Sequence, residues 1–225
     1  MREIIRLENV VKMMDDGRRA VNGVSFSVSK GDCMAVHGAS GSGKTTLMRL
    51  IAGMERPSSG KVFVLDQALH EMDADAAAGF RNRYMGILNR NPAFMDGLTV
   101  LDNVALPLAI RGISLAQREK TAKEQLKTLG LQYAANARPS QLSALELQKA
   151  SIARALTAHP QILLLDDTAA GLSEKDAEQI KSILRALSKF GEYTVIEFSE
   201  TNSGLICSDS TLILTHGKIR EEIEQ

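Results

Sequence analysis

Gly38-Ala39-Ser40-Gly41-Ser42-Gly43-Lys44-Thr45-Thr46, read as GASGSGKTT, is the stretch on which the fold of this chain turns. It is a full match to G-x-x-x-x-G-K-[ST]. Before it lies a short apolar run, Cys33 to His37, and after it Leu47, Met48, Leu50, Ile51 and Met54 recur at helical spacing. Average composition produces a chance match in roughly 1% of chains this long, before any strand or helix context is required. Glycines in such a turn let backbone N–H groups point inward around a phosphate, and the start of the following helix adds positive potential. Lys44 then reaches the outer phosphate oxygens, and the Thr45 hydroxyl is placed to ligate Mg²⁺.

Chemistry of this kind needs a carboxylate at the end of a second buried strand. Ile162 to Asp167, ILLLDD, supplies it: Asp166 reads as the metal-side residue and Asp167 as its neighbour, where a water-activating carboxylate stands. Farther out, Val24, Phe26 and Val28 alternate as in a half-exposed strand, and Ile5 and Leu7 do so until Asn9 breaks the pattern. Gly60 to Asp66, Met85 to Leu88, Thr194 to Phe198 and Thr211 to Leu214 read as further strands. From about residue 99 to 158 the periodicity is helical, with Ser114 as one cap. A later helix runs from a cap at Ser173 to a stop at Gly191. Strands alternating with helices predict a mainly parallel α/β sheet, preceded by an antiparallel portion and interrupted by a helical insertion.

The 225 residues carry 27 basic and 27 acidic side chains, a formal net charge of zero, and 44% apolar content. That is globular composition, enough for one domain, and it offers no electrostatic footprint for wrapping nucleic acid. The two cysteines, Cys33 and Cys207, have no metal-ligand spacing and are expected to be packed or idle thiols in a reducing compartment. His37 reads as a strand-end residue, and His70, His159 and His216 as surface or structural histidines without metal spacing. No secretory leader is read at the N-terminus, and no apolar stretch nears the roughly 18 residues that span a bilayer. A membrane role is therefore expected only through a partner, without direct insertion.

Taken together, GASGSGKTT, LTVLDNVALPL at Leu98 to Leu108, PSQLS at Pro139 to Ser143, IARAL at Ile152 to Leu156 and the ILLLDD strand give a chain that resembles an ATP-binding subunit of an ABC transporter, nearly end to end. Within that superfamily it is most similar to the lipoprotein-release, macrolide-export and cell-division group. The resemblance implies an α/β fold, a P-loop NTPase of ABC type. Residues 1–88 and 159–225 form a core with an antiparallel β portion, and about 89–158 form an inserted α-helical subdomain. It also implies ATP and Mg²⁺ as cofactors, with Gly38 to Thr46 on the phosphates and Thr45 and Asp166 on the metal. The partners implied are a second ATP-binding chain, like or unlike, and a transmembrane permease. The location implied is cytoplasmic, at the inner face of the membrane.

Against the family pattern the chain departs where chemistry is done. Arg90 stands where the family has a glutamine near the metal and the attacking water. The signature LSGGQ is replaced by Leu142, Ser143, Ala144, Leu145 and Glu146, with Ser143 alone keeping its role as a donor. Asp167 replaces a glutamate base and is one methylene shorter, and Glu200 replaces a histidine that donates toward the γ-phosphate. Met14 falls where an aromatic residue stacks on adenine, and Ser173 where an aspartate crosses the dimer. Five changes around one phosphate predict a nucleotide that is held but cleaved slowly or not at all, since such catalysis is mainly positioning and charge. Arg90 and Glu200 are expected to pair with each other across the γ-phosphate region. The competing readings are a fully active ATPase driving export and a non-hydrolysing regulatory module.

Overall fold

The structure is a computed structural model that describes residues 2–189, 193–200 and 209–224. Its strands, among the described residues, are β1 (Glu3–Met13), β2 (Arg19–Ser29), β3 (Cys33–His37), β4 (Ser59–Val64), β5 (Gln67–Ala68), β6 (Met85–Asn89), β7 (Ile162–Asp166), β8 (Thr194–Ser199), β9 (Ser210–Thr215) and β10 (Lys218–Glu224). Its α-helices are α1 (Lys44–Ile51), α2 (Ala74–Tyr84), α3 (Val100–Ile110), α4 (Leu115–Thr128), α5 (Ala144–Thr157) and α6 (Glu174–Lys189).

Two sheets result. One is antiparallel in the order β2-β1-β4-β5; the other has the order β10-β9-β3-β8-β7-β6, parallel throughout except for β10. The inner strands β3 and β7 are apolar on both faces because elements cover both sides, which is why they read as short hydrophobic runs; β8, TVIEFS, is buried along its whole length but carries Glu197, 6% exposed, in its middle. Ile5, Val24, Leu47, Ile51, Leu164, Ile196 and Phe198 join the two sheets and α1 in one core. Between β6 and β7, helices α3, α4 and α5 gather Val100, Val104, Leu126 and Ala153 into a separate cluster. α5 belongs to both regions, since Ile152 and Leu156 pack with Leu88 and Leu163 of the sheet.

Three local readings change. Asn9 does not end β1: it takes a left-handed φ of 47° inside the strand, where the register shifts, and its N–H donates to Ser25 Oγ at 2.8 Å. Asparagine tolerates that conformation, so a residue that reads as a breaker makes a bulge. Helix α2 is not evident from periodicity, because ADAAAGFRNRY buries only Ala77 and Phe80; its start is set by the Asp73 carboxylate accepting from Ala76 N–H at 2.7 Å. Cys33 is disulfide-bonded rather than an idle thiol. Cys207 and the stop at Gly191 lie outside the described residues.

Register brings the chemistry to one edge. His37 is level with Ser199, Asp166 with Phe198, and Asn89 with Asp166. The segments leaving β3, β8, β7 and β6 therefore emerge side by side at the C-terminal ends of the parallel strands, where open α/β sheets bind ligands.

Candidate functional site

α1 begins without a capping side chain and with no acid in its first turn, so its leading N–H groups stay available to an anion. The turn before it is shaped by packing as well as by composition. Gly43 has φ 108°, and a Cβ there would lie well under 3.0 Å from the Ala20 carbonyl oxygen of β2. Gly217, in the turn after β9, donates its N–H to Ser42 O at 2.9 Å, which staples the loop from the other side. Ser42 Oγ is buried without a partner.

Lys44 is 5% exposed, and its Nζ donates to Gly38 O at 2.6 Å and Ala39 O at 3.0 Å. The ammonium is thus held inside the curve of the loop by two backbone carbonyls. Thr45 Oγ1 donates to Asp166 Oδ2 at 3.2 Å, joining α1 to the end of β7. Burial, opposed by this hydrogen bond and reinforced by the neighbouring Asp167, lifts the Asp166 carboxyl above the ordinary aspartate range.

Beside these groups opens a cavity of about 570 Å³. Met14, Ser40, Gly41, Gly43, Lys44, Thr45, Thr46, Asp167 and Glu200, all singled out in the sequence, line it, whereas Gly38, Ala39, Ser42 and Asp166 do not. Arg18, Arg19, Ala20, His216 and Gly217 line it as well, and these the sequence does not reveal. They arrive from the start of β2 with the turn before it, and from the turn after β9, whose distance from the loop along the chain hides their nearness in space. Arg18 is already engaged by Asp16 at 2.6 Å, and Arg19 Nη1 donates to Asn22 Oδ1 at 3.2 Å.

Asp167 sits at φ 47°, with its N–H donating to Phe198 O at 3.0 Å. Its Oδ1 accepts from the Glu200 N–H at 3.3 Å, so one carboxylate oxygen is turned toward the backbone leaving β8. His37, at the end of β3, is buried with Nδ1 3.1 Å from Ser199 Oγ and Nε2 without a partner; burial holds its pKa below the usual histidine value.

Comparison with known proteins agrees with this geometry. Residues 21–170 match the ABC transporter family. The chain belongs to that family. It is similar to a methionine import ATP-binding protein of Brucella abortus, 33% identical over 220 residues that cover 97% of this chain and 59% of that protein. It thus spans about three fifths of the length of the curated relatives it matches. A bacterial ABC transporter cassette solved as a dimer superposes with a TM-score of 0.90 at 29% identity, and a dimeric post-hydrolysis state of an ATP-binding cassette bound to ADP and Pi does so at 0.89 and 29%; each comparison covers 98% of both chains.

The other ABC-like positions lie apart from the cavity. Ser143 caps α5: its Oγ donates to Glu146 Oε2 at 2.7 Å, and its N–H donates to the same oxygen at 2.8 Å. Tyr133 Oη donates to Glu146 Oε1, and these contacts, Tyr133 first, hold the Glu146 carboxyl down at about 2. Leu142 and Leu145 are half-buried against the helical and sheet clusters respectively, and Ala144 is exposed at the helix start. Leu145 therefore packs inward rather than standing out as a free branched side chain.

Arg90 is exposed at the exit of β6, and its Nη2 lies 3.8 Å from where a Cβ on Gly171 would be. The expected Arg90–Glu200 ion pair is absent among the described residues. Topology explains the difference: β7 lies between β6 and β8, so the two exits are two strand spacings apart, about 9.6 Å. Arg90 turns toward the loop after β7, and Glu200 toward the phosphate loop.

Proposed function

We propose that this chain is the ATP-binding subunit of a transporter complex, that it holds MgATP in the cavity beside GASGSGKTT, and that it hydrolyses the nucleotide slowly or not at all. The observation that carries the reading is the pairing of Thr45 with Asp166 beside a buried Lys44. One ammonium faces the phosphates, and two hard oxygen donors lie 3.2 Å apart at the helix start. That donor set fits Mg²⁺, which is typically held by one or two protein oxygens together with substrate phosphates rather than by an all-protein cage. No cluster of three His, Cys, Asp or Glu side chains suited to a metal is found among the described residues. When bound, Mg²⁺ would neutralise charge on the outer phosphates; Thr45 and Asp166 would hold it.

Slow turnover follows from what Asp167 and Glu200 do. Asp167 is one methylene shorter than a glutamate base and its Oδ1 accepts from the Glu200 N–H at 3.3 Å, which leaves Oδ2 alone to reach for water on a shorter arm. Glu200 adds a negative side chain to the wall where a phosphate's charge builds up. The nucleotide is proposed to sit between two chains, with Ser143 of one facing the other's phosphates, as in the dimeric cassettes this chain resembles. Met14 packs against the base through its polarisable sulfur.

A shallow groove of about 270 Å³ between β6, α3 and α5, lined by Leu106, Pro107, Ile110, Arg154, Ala155 and Ala158, is the proposed seat for a permease helix. Ile110 is 69% exposed there. No helix among the described residues is long and apolar enough to cross a membrane, in keeping with a subunit that reaches the inner face of the membrane through that permease. Its motifs support membership of the lipoprotein-release, macrolide-export and cell-division group as the finer part of this proposal. The 33% identity to a methionine import protein favours import as a second reading.

Measuring MgATP binding and phosphate release on one preparation, with and without the permease, tests the proposal. Binding with turnover well below roughly 10 s⁻¹ is expected. Turnover at or above that rate refutes the slow-hydrolysis reading. Restoring glutamate at 167, histidine at 200 and glycine at 144 and 145 should raise it.

A further inference from the structure

Residues 90–94 leave β6 without secondary structure, and among the described residues no backbone–backbone hydrogen bond holds them. Their path is fixed instead by side chains of α5. Gln148, 2% exposed, donates from Nε2 to Asn89 O at 3.1 Å and to Arg90 O at 2.7 Å. One and a half turns farther along α5, Arg154 Nη1 donates to Ala93 O at 2.6 Å, and its guanidinium lies 4.5 Å from the centre of the Phe94 ring.

The Gln148 amide comes with a liability. Its Oε1 is buried with no protein donor among the described residues, and a buried acceptor left without a donor is destabilising. A leucine or methionine of similar volume would fill the space without that penalty. What only the amide supplies here is the pair of donated bonds to consecutive carbonyls, which fix the direction in which Arg90 leaves the strand.

We infer that Gln148 is a positioning residue, a clamp that makes residues 89–94 travel with α5 and thereby couples the Arg90 backbone to the Ser143 end of that helix. The two ends of the link carry the two most altered motifs of the chain, Arg90 and the LSALE segment. The functional meaning rests on the nucleotide reading proposed above: a change at the edge of β6 reaches Ser143 through the Gln148 amide rather than through the sheet. Ser143 lies five residues before Gln148 on the same helix, so displacement passes along a rigid rod.

Backbone ¹⁵N relaxation on the full chain tests the clamp. Without nucleotide, Gln148→Met is expected to drop the order parameters of residues 90, 91, 93 and 94 from the rigid value of about 0.85 to below about 0.6, while β7 and β8 stay rigid. A uniform fall across the sheet would show a merely structural role and overturn the inference, as would no change in 90–94. Arg154→Met serves as the second variant: it should loosen residues 93 and 94 while leaving 89 and 90 rigid, and loosening of both alike would also count against a clamp at Gln148. In a second arm, amide exchange with MgATP is followed on chain that sedimentation shows to be monomeric, so that no partner's nucleotide covers Ser143; wild type is expected to gain protection at 38–46 and at 143–147, and Gln148→Met at 38–46 alone. A response at 143–147 that persists in the variant overturns the coupling. Absence of protection at 38–46 in both proteins would sink the nucleotide reading instead, with the ligand-free arm still deciding the clamp.

Discussion

Replacing Gly43 by alanine, with Gly41→Ala as its control, separates the two physical constraints on the phosphate loop. Both glycines have positive φ, 76° at Gly41 and 108° at Gly43, so alanine is strained at each. A Cβ on Gly41 meets nothing within 4 Å, whereas one on Gly43 falls well under 3.0 Å from Ala20 O, with Ala20 C at 3.2 Å. Both variants reduce the unfolded chain's freedom equally, so that contribution cancels in the comparison. Gly41→Ala should therefore cost about 1–2 kcal/mol of backbone strain, a loss of roughly 2–8 °C in Tm for a chain of this size. Gly43→Ala adds overpacking against a backbone carbonyl that cannot rotate away, for a total of about 3–5 kcal/mol and roughly 6–20 °C. It also pushes the start of α1 off its seat, so MgATP affinity should fall by about a hundredfold or more, given that misplacement of about 1 Å has effects of that order. Thermal unfolding and nucleotide titration on the same samples decide the matter. Equal Tm losses in the two variants would refute the claim that close approach to β2, and not φ alone, shapes the loop.

Lys44→Ala should weaken MgATP binding by at least about a hundredfold, since charge-assisted hydrogen bonds are worth about 1.5–3 kcal/mol each; equal affinity in titration would remove the phosphate-loop assignment. Asp166, held above the ordinary aspartate range by burial, binds its proton more tightly folded than unfolded, so its ionisation lowers stability as pH rises through the raised value. Asp166→Asn is thus expected to raise Tm at pH 7 without nucleotide while weakening MgATP binding, and a lowered Tm would contradict the desolvation argument. Glu146 has the opposite sign: its depressed pKa contributes stability above its ordinary value of 4.5 that is lost as pH falls toward about 2. The Tm gap between wild type and Glu146→Gln should accordingly shrink across that window, and a gap independent of pH would show that the charge is not what matters. Ser143→Ala, which removes the cap of α5, should cost about 1 kcal/mol, or roughly 2–4 °C, in thermal unfolding.

The phosphate loop and the strands around it are legible because their signals are local. GASGSGKTT has the composition that its backbone conformation demands, and β3 and β7 announce their burial by short apolar runs. Ser173 caps α6 as its position in the sequence suggests, whereas Ser114 precedes α4 without a side-chain cap bond, and Ser143, which the sequence marks as a donor and not as a cap, caps α5. Long-range proximity is what the sequence hides. His216 and Arg19 reach the cavity only because Gly217 is bonded to the loop and β2 packs under Gly43. The Arg90–Glu200 pair fails for a related reason, because motif positions carry no information about which strand lies between them. α2 escapes notice since it buries so little, and Asn9 misleads because one residue type serves both to end strands and to bulge them.

The bond from Gly217 to Ser42 means that the last two strands are mechanically in series with the phosphate loop. A tug on β10, whatever applies it, would be felt at the triphosphate seat within a single peptide unit, bypassing α3, α4 and α5 altogether. Strain applied through β10 is therefore expected to shift nucleotide affinity with α3, α4 and α5 left in place.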